Sequence, residues 1–428
     1  MLGRLKFYTL LVLACLTSYV THMANIKFLF SMICFSCVLS VICIQFVNNE
    51  ESVIDESLIN EALKYASIDS RYAVVYQKTS RLPKNLKYIL LWTPPNYAPF
   101  YYFGNGQRMF ITNNCAVINC YVTSDRNFFG ADTTRFSAIA FNGRNILKMN
   151  RKELPAQRSP LQKYIYFNME SSDNYPVCNR VFDNFFNWTS TYRLDSDIPY
   201  PYLHVRNVEG EVVGPRVDME WPEMNFAEVD DDLASRLQNK TKAVAWFVSH
   251  CKSRSGRKKF VKKLKAALGV HKLTVDIYGK CGTLQCPLNK KSECNSMLER
   301  DYYFYLSMEN SFAEDYVTEK LLTALQHNVV PIVYGGADYT RFLPPGSYLN
   351  ARNYTPVQLA TLIAKLILSP SDYREFFKWK QHISYHEPTK VENVCSLCEM
   401  LNNDTKFYSQ RVYKDFRRWW NPDYVKRC

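Results

Sequence analysis

No GxGxxG or GxxxxGK[ST] run occurs in this chain, so neither of the common glycine-rich phosphate cradles is available to it. Helix-turn-helix, zinc-finger and RNA-recognition patterns are absent too, which leaves nucleic acid without a reading element. Cys395-Ser-Leu-Cys398 has half of a zinc-binding spacing. No matching second pair stands at finger distance, and a disulfide role is the better reading. The basic residues are spread along the chain rather than blocked, so a net charge of +13 reads mainly as solvated surface.

What is present bounds the chain further. Its 428 residues leave room for two domains, and 15% aromatics allow a substantial core. Of 14 cysteines, Cys15, Cys34, Cys37 and Cys43 lie near the N-terminus, and the rest, from Cys115 to Cys428, are even in number. Glycosylation sequons stand at Asn187, Asn239, Asn353 and Asn403. Together these favour a secretory lumen and disulfides.

Two apolar segments open the chain. Phe7–Val20 is short for a bilayer, whereas Phe28–Val47 has the length a hydrocarbon core needs, interrupted only by Gln45. Arg4, Lys6 and Lys27 precede it, and Asn48 to Glu51 follow, which orients the N-terminus to the cytosol and the bulk to the lumen. The expected order is a cytoplasmic tail over 1–27, an uncleaved signal-anchor over 28–47 and a polar stem over 48–84. Translation from Met1 and from Met23 both fit this order.

From Lys87 the chain reads as α/β. Strands are expected at Tyr88–Trp92, Tyr121–Asp125, Ser137–Phe141 and Lys163–Met169, the last ending at Glu170. A carboxylate just past a strand end suits a general base, and equally a turn or N-cap acid. Residues 205–240 are polar and interrupted by Gly210, Gly214, Pro215 and Pro222, and read as a linker. Strands follow at Lys242–Ser249 and Thr274–Tyr278, separated by a basic amphipathic helix with Phe260, Val261, Leu264 and Leu268 facing inward. Arg254 and Arg257 stand at its start, where a guanidinium can grip a diphosphate. Lys258, Lys259, Lys262 and Lys263 read as a solvated face.

The organising stretch is Asp301–Gly336. It runs strand, polar loop, helix, strand, glycine pair, which is one βαβ unit of a parallel sheet. Ligands bind beyond the carboxyl ends of such strands, where Glu309, Asn310 and the helix start at Tyr316–Lys320 would lie. A helix N-terminus with a lysine beside it suits phosphate. A capped surface helix with a Glu–Lys pair fits the same residues.

Longer runs go further. ENSFAEDYVTEKLLTAL followed by VVPIVYGGADYTRFLPPGSYLNAR resembles the donor-binding signature of the α1,3-fucosyltransferases, glycosyltransferase family 10. QKYIYFNMESS resembles the family's general-base stretch, with Ser172 where proline is usual, and NFFNWTSTYRLDSDI resembles its next signature. The resemblance spans roughly Lys87 to Cys398. It implies two Rossmann-like domains of the GT-B type: an acceptor-side domain over 85–215, a GDP-fucose-binding domain over 216–375 and a tail over 376–428 returning to the first domain. A link from Cys395 and Cys398 to Cys115 and Cys120 would staple that tail.

The implied reaction is inverting transfer of fucose from GDP-fucose to N-acetylglucosamine of a glycoprotein glycan by a Golgi type II membrane enzyme. Glu170 would be the base, and Arg257, Asn310, Tyr316, Glu319 and Lys320 would bind the donor. His250 replaces the family's usual asparagine. Asp195-Ser196-Asp197 has a metal-binding look, but in this family it belongs to the acceptor side. No cofactor is therefore required, and a divalent metal would at most stimulate. VYGGADYTRF resembles the version in enzymes acting on the N-glycan core. Antenna (Lewis-type) fucosylation and a non-catalytic glycan-binding protein stay open as alternatives. Oligomeric state is not legible.

Overall fold

The computed structural model describes residues 86–223 and 229–428. The expected tail, anchor and stem lie outside them. Among the described residues no helix is long and apolar enough to cross a membrane. All of them belong to one compact unit, Ala62–Cys428.

The first sheet is built from β1 (Lys87–Leu91), β2 (Cys120–Thr123), β3 (Ala138–Asn142), β4 (Lys163–Asn168), β5 (Trp188–Thr191) and β6 (Ile198–Pro199). All pairs are parallel, in the order β2-β1-β3-β4-β5-β6. Both faces are covered, which is why β3 and β4 are buried throughout rather than alternating. Ile89, Ala140, Ile165 and Phe167 point to one face, and Leu90, Ile139, Tyr164 and Tyr166 to the other.

β7 (His204–Asn207) and β8 (Val212–Gly214) follow, and pair antiparallel with each other. The region expected as a linker thus contains a hairpin. Gly210 turns this hairpin and Gly214 is the last residue of β8, so the glycines punctuate strands here rather than replace them.

The second sheet holds β9 (Lys242–Phe247), β10 (Val275–Tyr278), β11 (Tyr302–Met308), β12 (Val330–Tyr334) and β13 (Leu349–Asn350), parallel in the order β10-β9-β11-β12-β13. The basic helix Arg257–Val270 buries Val261, Leu264 and Leu268 against it. Helix Pro356–Leu368 lies beside that helix, and its Leu359, Ala360 and Ile363 join the same core. On the opposite face Leu321, Leu322 and Leu325 of helix Glu319–Gln326 are buried.

The C-terminal stretch then returns. β14 (Ile383–His386) pairs antiparallel with β7. Helix Glu392–Asn402 buries Val394, Leu397, Cys398 and Leu401 against the first sheet, a spacing that puts all four on one helical face. Cys115–Cys395 and Cys120–Cys398 fix it there, with sequence separations of 280 and 278. In the chain-entropy view closing so long a loop is worth on the order of 5 kcal/mol for the first bond and less for the second, which closes nearly the same loop. Cys178–Cys428 ties down the chain end, while Cys251–Cys281 and Cys286–Cys294 lie within the second lobe.

Asp195 and Asp197 serve the same docking. Asp195 accepts from the Arg193 guanidinium (2.8 Å) and from the Trp419 indole N–H (2.9 Å). Asp197 pairs with Arg411 at 3.0 Å and accepts from the Tyr413 hydroxyl.

Candidate active site

The segment between β11 and helix Glu319–Gln326 bridges the two lobes. Ala313 and Tyr316 are buried in the core of the first lobe. The Leu194 N–H donates to Asp315 Oδ2 (3.2 Å), the Ser311 hydroxyl to Ser171 Oγ (2.6 Å) and Arg254 to the Asp173 carbonyl (2.5 Å). Gly336 is needed beneath this segment, since a Cβ there would stand 2.6 Å from the Ala313 nitrogen. The seam therefore fixes what the two strand ends, β4 and β11, present to each other.

Two cavities open along it. One, of about 230 Å³, contains Glu170 just past the end of β4, with Tyr97, Tyr102, Tyr200 and Tyr202 as aromatic walls and Arg144, Glu387 and Lys390 at its margin. The other, of about 340 Å³, contains Arg257, His250 and Lys320, with Phe247 and Tyr278 as ring surfaces and Lys291 and Asn295 from helix Lys291–Asp301. Glu319 lines both. A carboxylate in an aromatic cavity adjoins a cation-lined cavity through one shared residue.

Glu170 is half-buried. Its backbone N–H donates to Asn168 Oδ1 (2.8 Å), and the Tyr316 hydroxyl donates to its Oε2 at 3.5 Å. Tyr316 itself is buried between Tyr192 and Tyr202, and burial pushes its phenol far above the ordinary value, so it remains a donor.

Arg257 is buried at the floor of the cation-lined cavity. Its guanidinium donates to the carbonyls of Met308 (2.5 Å) and His250 (3.2 Å). Burial draws its pKa below the ordinary arginine value, with Glu309 and Glu319 opposing.

Around Lys320 the structure departs from the sequence reading. The helix starts at Glu319, and the Thr318 N–H donates to Glu309 Oε1 at 2.9 Å. Glu309 thus takes the amide that precedes the helix, one of those expected to be open to phosphate. Lys320 Nζ lies 3.2 Å from Glu309 Oε2, 3.2 Å from Glu319 Oε1 and 2.6 Å from Thr318 Oγ1. Burial raises the Glu309 carboxyl above its usual range, with Lys320 working against it. For Lys320 burial acts downward, but the two glutamates outweigh it and its pKa is raised, so it stays charged. Glu319 is held below the usual range because Lys320 overrides its burial.

Of the residues named from the sequence, Glu170, Arg257, Glu319 and Lys320 line the two cavities. Asn310 and Tyr316 line neither. Asn310 Oδ1 accepts from Asn174 Nδ2 (3.3 Å) in the seam, and Tyr316 supports Glu170 from below. Asn187 also needs correction as a glycosylation site. It is buried, its Nδ2 donates to the Arg411 carbonyl (2.9 Å) and its Oδ1 accepts from the Tyr164 N–H (2.9 Å), so the folded chain leaves no nitrogen for a glycan. Asn239, Asn353 and Asn403 are exposed. Sequence reasoning placed Glu309 beyond the strand end without giving it a role, and it missed the tyrosine walls and Lys291 with Asn295. Only Glu309 carried a signal, an acid at a strand end opposite a helical lysine.

Residues 84–203 match the family model described as fucosyltransferase, N-terminal, and residues 237–419 match the model of glycosyltransferase family 10 (fucosyltransferase), C-term. Alpha-(1,3)-fucosyltransferase C of Drosophila melanogaster is 37% identical over 313 residues, covering 72% of this chain and 70% of that relative. Glycoprotein 3-alpha-L-fucosyltransferase A of the same species is 31% identical over 319 residues, 74% of this chain and 57% of the relative. A crystal structure of an alpha1,3-fucosyltransferase aligns at a TM-score of 0.47 and 17% identity, over 78% of this chain and 95% of that one. On the sequence matches, the chain belongs to glycosyltransferase family 10, the fucosyltransferases.

Proposed function

We propose that the chain transfers L-fucose from GDP-fucose, with inversion, in α1,3 linkage to N-acetylglucosamine of a glycoprotein glycan. The observation that carries this reading is the pair of cavities sharing Glu319. In the aromatic cavity Glu170 takes the proton of the attacking hydroxyl while the tyrosine rings cover the sugar faces. In the other, Phe247 and Tyr278 flank the nucleotide base. The diphosphate gains charge as the bond to the fucose anomeric carbon breaks, and Lys320 and Arg257 meet that charge. These fixed cations support turnover without an added metal.

The core preference was read from Val333–Phe342. Those residues lie under the seam and do not line the aromatic cavity. Acceptor choice therefore falls to that cavity's own walls, and we retain the N-glycan core as the proposed acceptor against the antenna. We also place the catalytic part in the Golgi lumen behind a type II anchor. Five disulfides support an oxidising compartment.

The test is product analysis. Full-length chain is incubated with GDP-fucose and two acceptors, an N-glycan core and an N-acetyllactosamine antenna, and the linkage is read by NMR. An α-fucose on O3 of N-acetylglucosamine, more on the core than on the antenna, is expected. Retention of the donor's anomeric configuration, or GDP release with no glycosidic product, would overturn the assignment.

A further inference from the structure

Helix Arg257–Val270 breaks two rules of helix electrostatics. Its first turn holds Arg257, Lys258 and Lys259 and no acid, although the positive end of the helix dipole disfavours cations. Lys258 faces Lys262 and Lys259 faces Lys263 at i,i+4, where like charges repel. No Asp or Glu occurs between Asp232 and Asp276, so the helix and its flanks bring no compensating charge of their own. Arg257 faces Glu309 and Glu319, but for the lysines these local rules are broken without internal compensation, which points to something outside the chain.

The lysines also surround a concavity. Lys252, Lys258, Lys259, Lys262 and Lys265, all exposed, line a groove of about 670 Å³. Its floor is Trp246, Val261, Ile277 and the Cys251–Cys281 disulfide. None of the five lysines lines the cation-lined cavity, so the donor does not account for them. Among the described residues none of the five is in an ion pair, whereas Lys320 and Lys242 each are.

We propose that this groove is an exosite for a sulfated polysaccharide chain. The lysines from Lys258 to Lys265 extend over about 10 Å of helix, too long for a single phosphate and suited to a row of anionic groups. The half-buried Ile277 and Cys251–Cys281 disulfide give the floor an accessible apolar strip between cations, which fits the C–H faces of sugar rings with sulfates at their edges. A flat lipid surface cannot reach a recessed floor. An acidic peptide would need backbone partners, and beside the groove the edge of β10 is already covered where the Leu284 N–H donates to the Ile277 carbonyl (3.3 Å). Nucleic acid would need exposed stacking rings, and Trp246 is buried.

The test measures binding of detergent-solubilised full-length chain to immobilised heparin across a salt series. Polyglutamate and phosphatidylserine vesicles serve as competing probes. Lys258→Glu with Lys262→Glu and Lys265→Glu is expected to weaken heparin binding by about tenfold or more and to flatten its salt dependence. An equal charge change at Lys148, Lys406 and Lys414 is expected to weaken it by less than about threefold. The corresponding Lys→Gln triple should also lose binding while raising the thermal midpoint, because it removes the repulsion. Equal losses in the two Glu triples, or none in the groove triple, would overturn the proposal. So would polyglutamate or vesicles binding through the same lysines as tightly as heparin.

Discussion

Lys320 Nζ stands 3.2 Å from Oε2 of Glu309, a carboxylate only 1% exposed. That carboxylate also accepts from the N–H and hydroxyl of Thr318, so one buried acid both caps helix Glu319–Gln326 and aims its lysine. Leaving one member of such a pair without its partner costs about 3–5 kcal/mol.

Glu309→Gln is therefore expected to lower stability by about 2–4 kcal/mol, since the amide keeps one acceptor but not the charge. Well below its unfolding transition the variant should also raise the KM for GDP-fucose about tenfold, as loss of a supporting partner does at other charged sites. Denaturant unfolding and donor titration check the two effects separately. An unchanged donor KM would confine Glu309 to a structural role.

Peptide mapping by mass spectrometry tests the burial of Asn187. Glycan is expected at exposed sequons among Asn239, Asn353 and Asn403, and none at Asn187. Asn187→Gln should destabilise the chain by about 1–3 kcal/mol, because the Tyr164 N–H and the Arg411 carbonyl lose a well-placed partner. A glycan on Asn187 of the folded protein would contradict the structure there.

Alkaline pH offers a third check. Burial lowers Lys240 and Lys380 from the ordinary 10.5 to about 8, with Glu299 opposing in both cases. Their Nζ groups donate to the carbonyls of Glu299 and Leu325, respectively. The unfolded chain binds more protons at these lysines between pH 8 and 10.5, so their contribution rises with pH across that window and is lost as pH falls through 8. Buried tyrosines such as Tyr302 and Tyr305 are raised above 10, and their contribution is lost as pH climbs past it. The thermal midpoint should therefore peak between about pH 8 and pH 10. Lys380→Met should raise the midpoint at pH 7 and shrink the rise.

The strands of the second lobe were legible because β9, β11 and β12 are covered on both faces and so read as continuous apolar or aromatic runs. Helix Pro356–Leu368 carries its start signal in the sequence, Pro356 together with the Thr355–Gln358 capping box. β5 was not, because Trp-Thr-Ser-Thr is polar and its two threonine hydroxyls are satisfied by Asp197, Tyr413 and Ser196, partners no local pattern reveals. The β7–β8 hairpin was hidden by its turn residues, and its partner β14 lies far along the chain. At the site, Glu170, Arg257, Glu319 and Lys320 stand next to their strand or helix ends and could be named from sequence. Asn310 and Tyr316 belong to the same run, but the seam turns them inward, and that turn depends on the other lobe. The basic residues looked dispersed along the chain, yet the fold gathers the lysines of one helix and Lys252 around a single groove.

Glu170 as the base beside a cation-held nucleotide is the central claim. The most direct measurement is the rate of GDP release from GDP-fucose in EDTA, with and without a glycan acceptor, for the native chain and Glu170→Gln. The account predicts acceptor-dependent turnover that falls by about 10²–10⁴ in the variant, with GDP affinity unchanged. Turnover in Glu170→Gln within a few-fold of the native rate would contradict it.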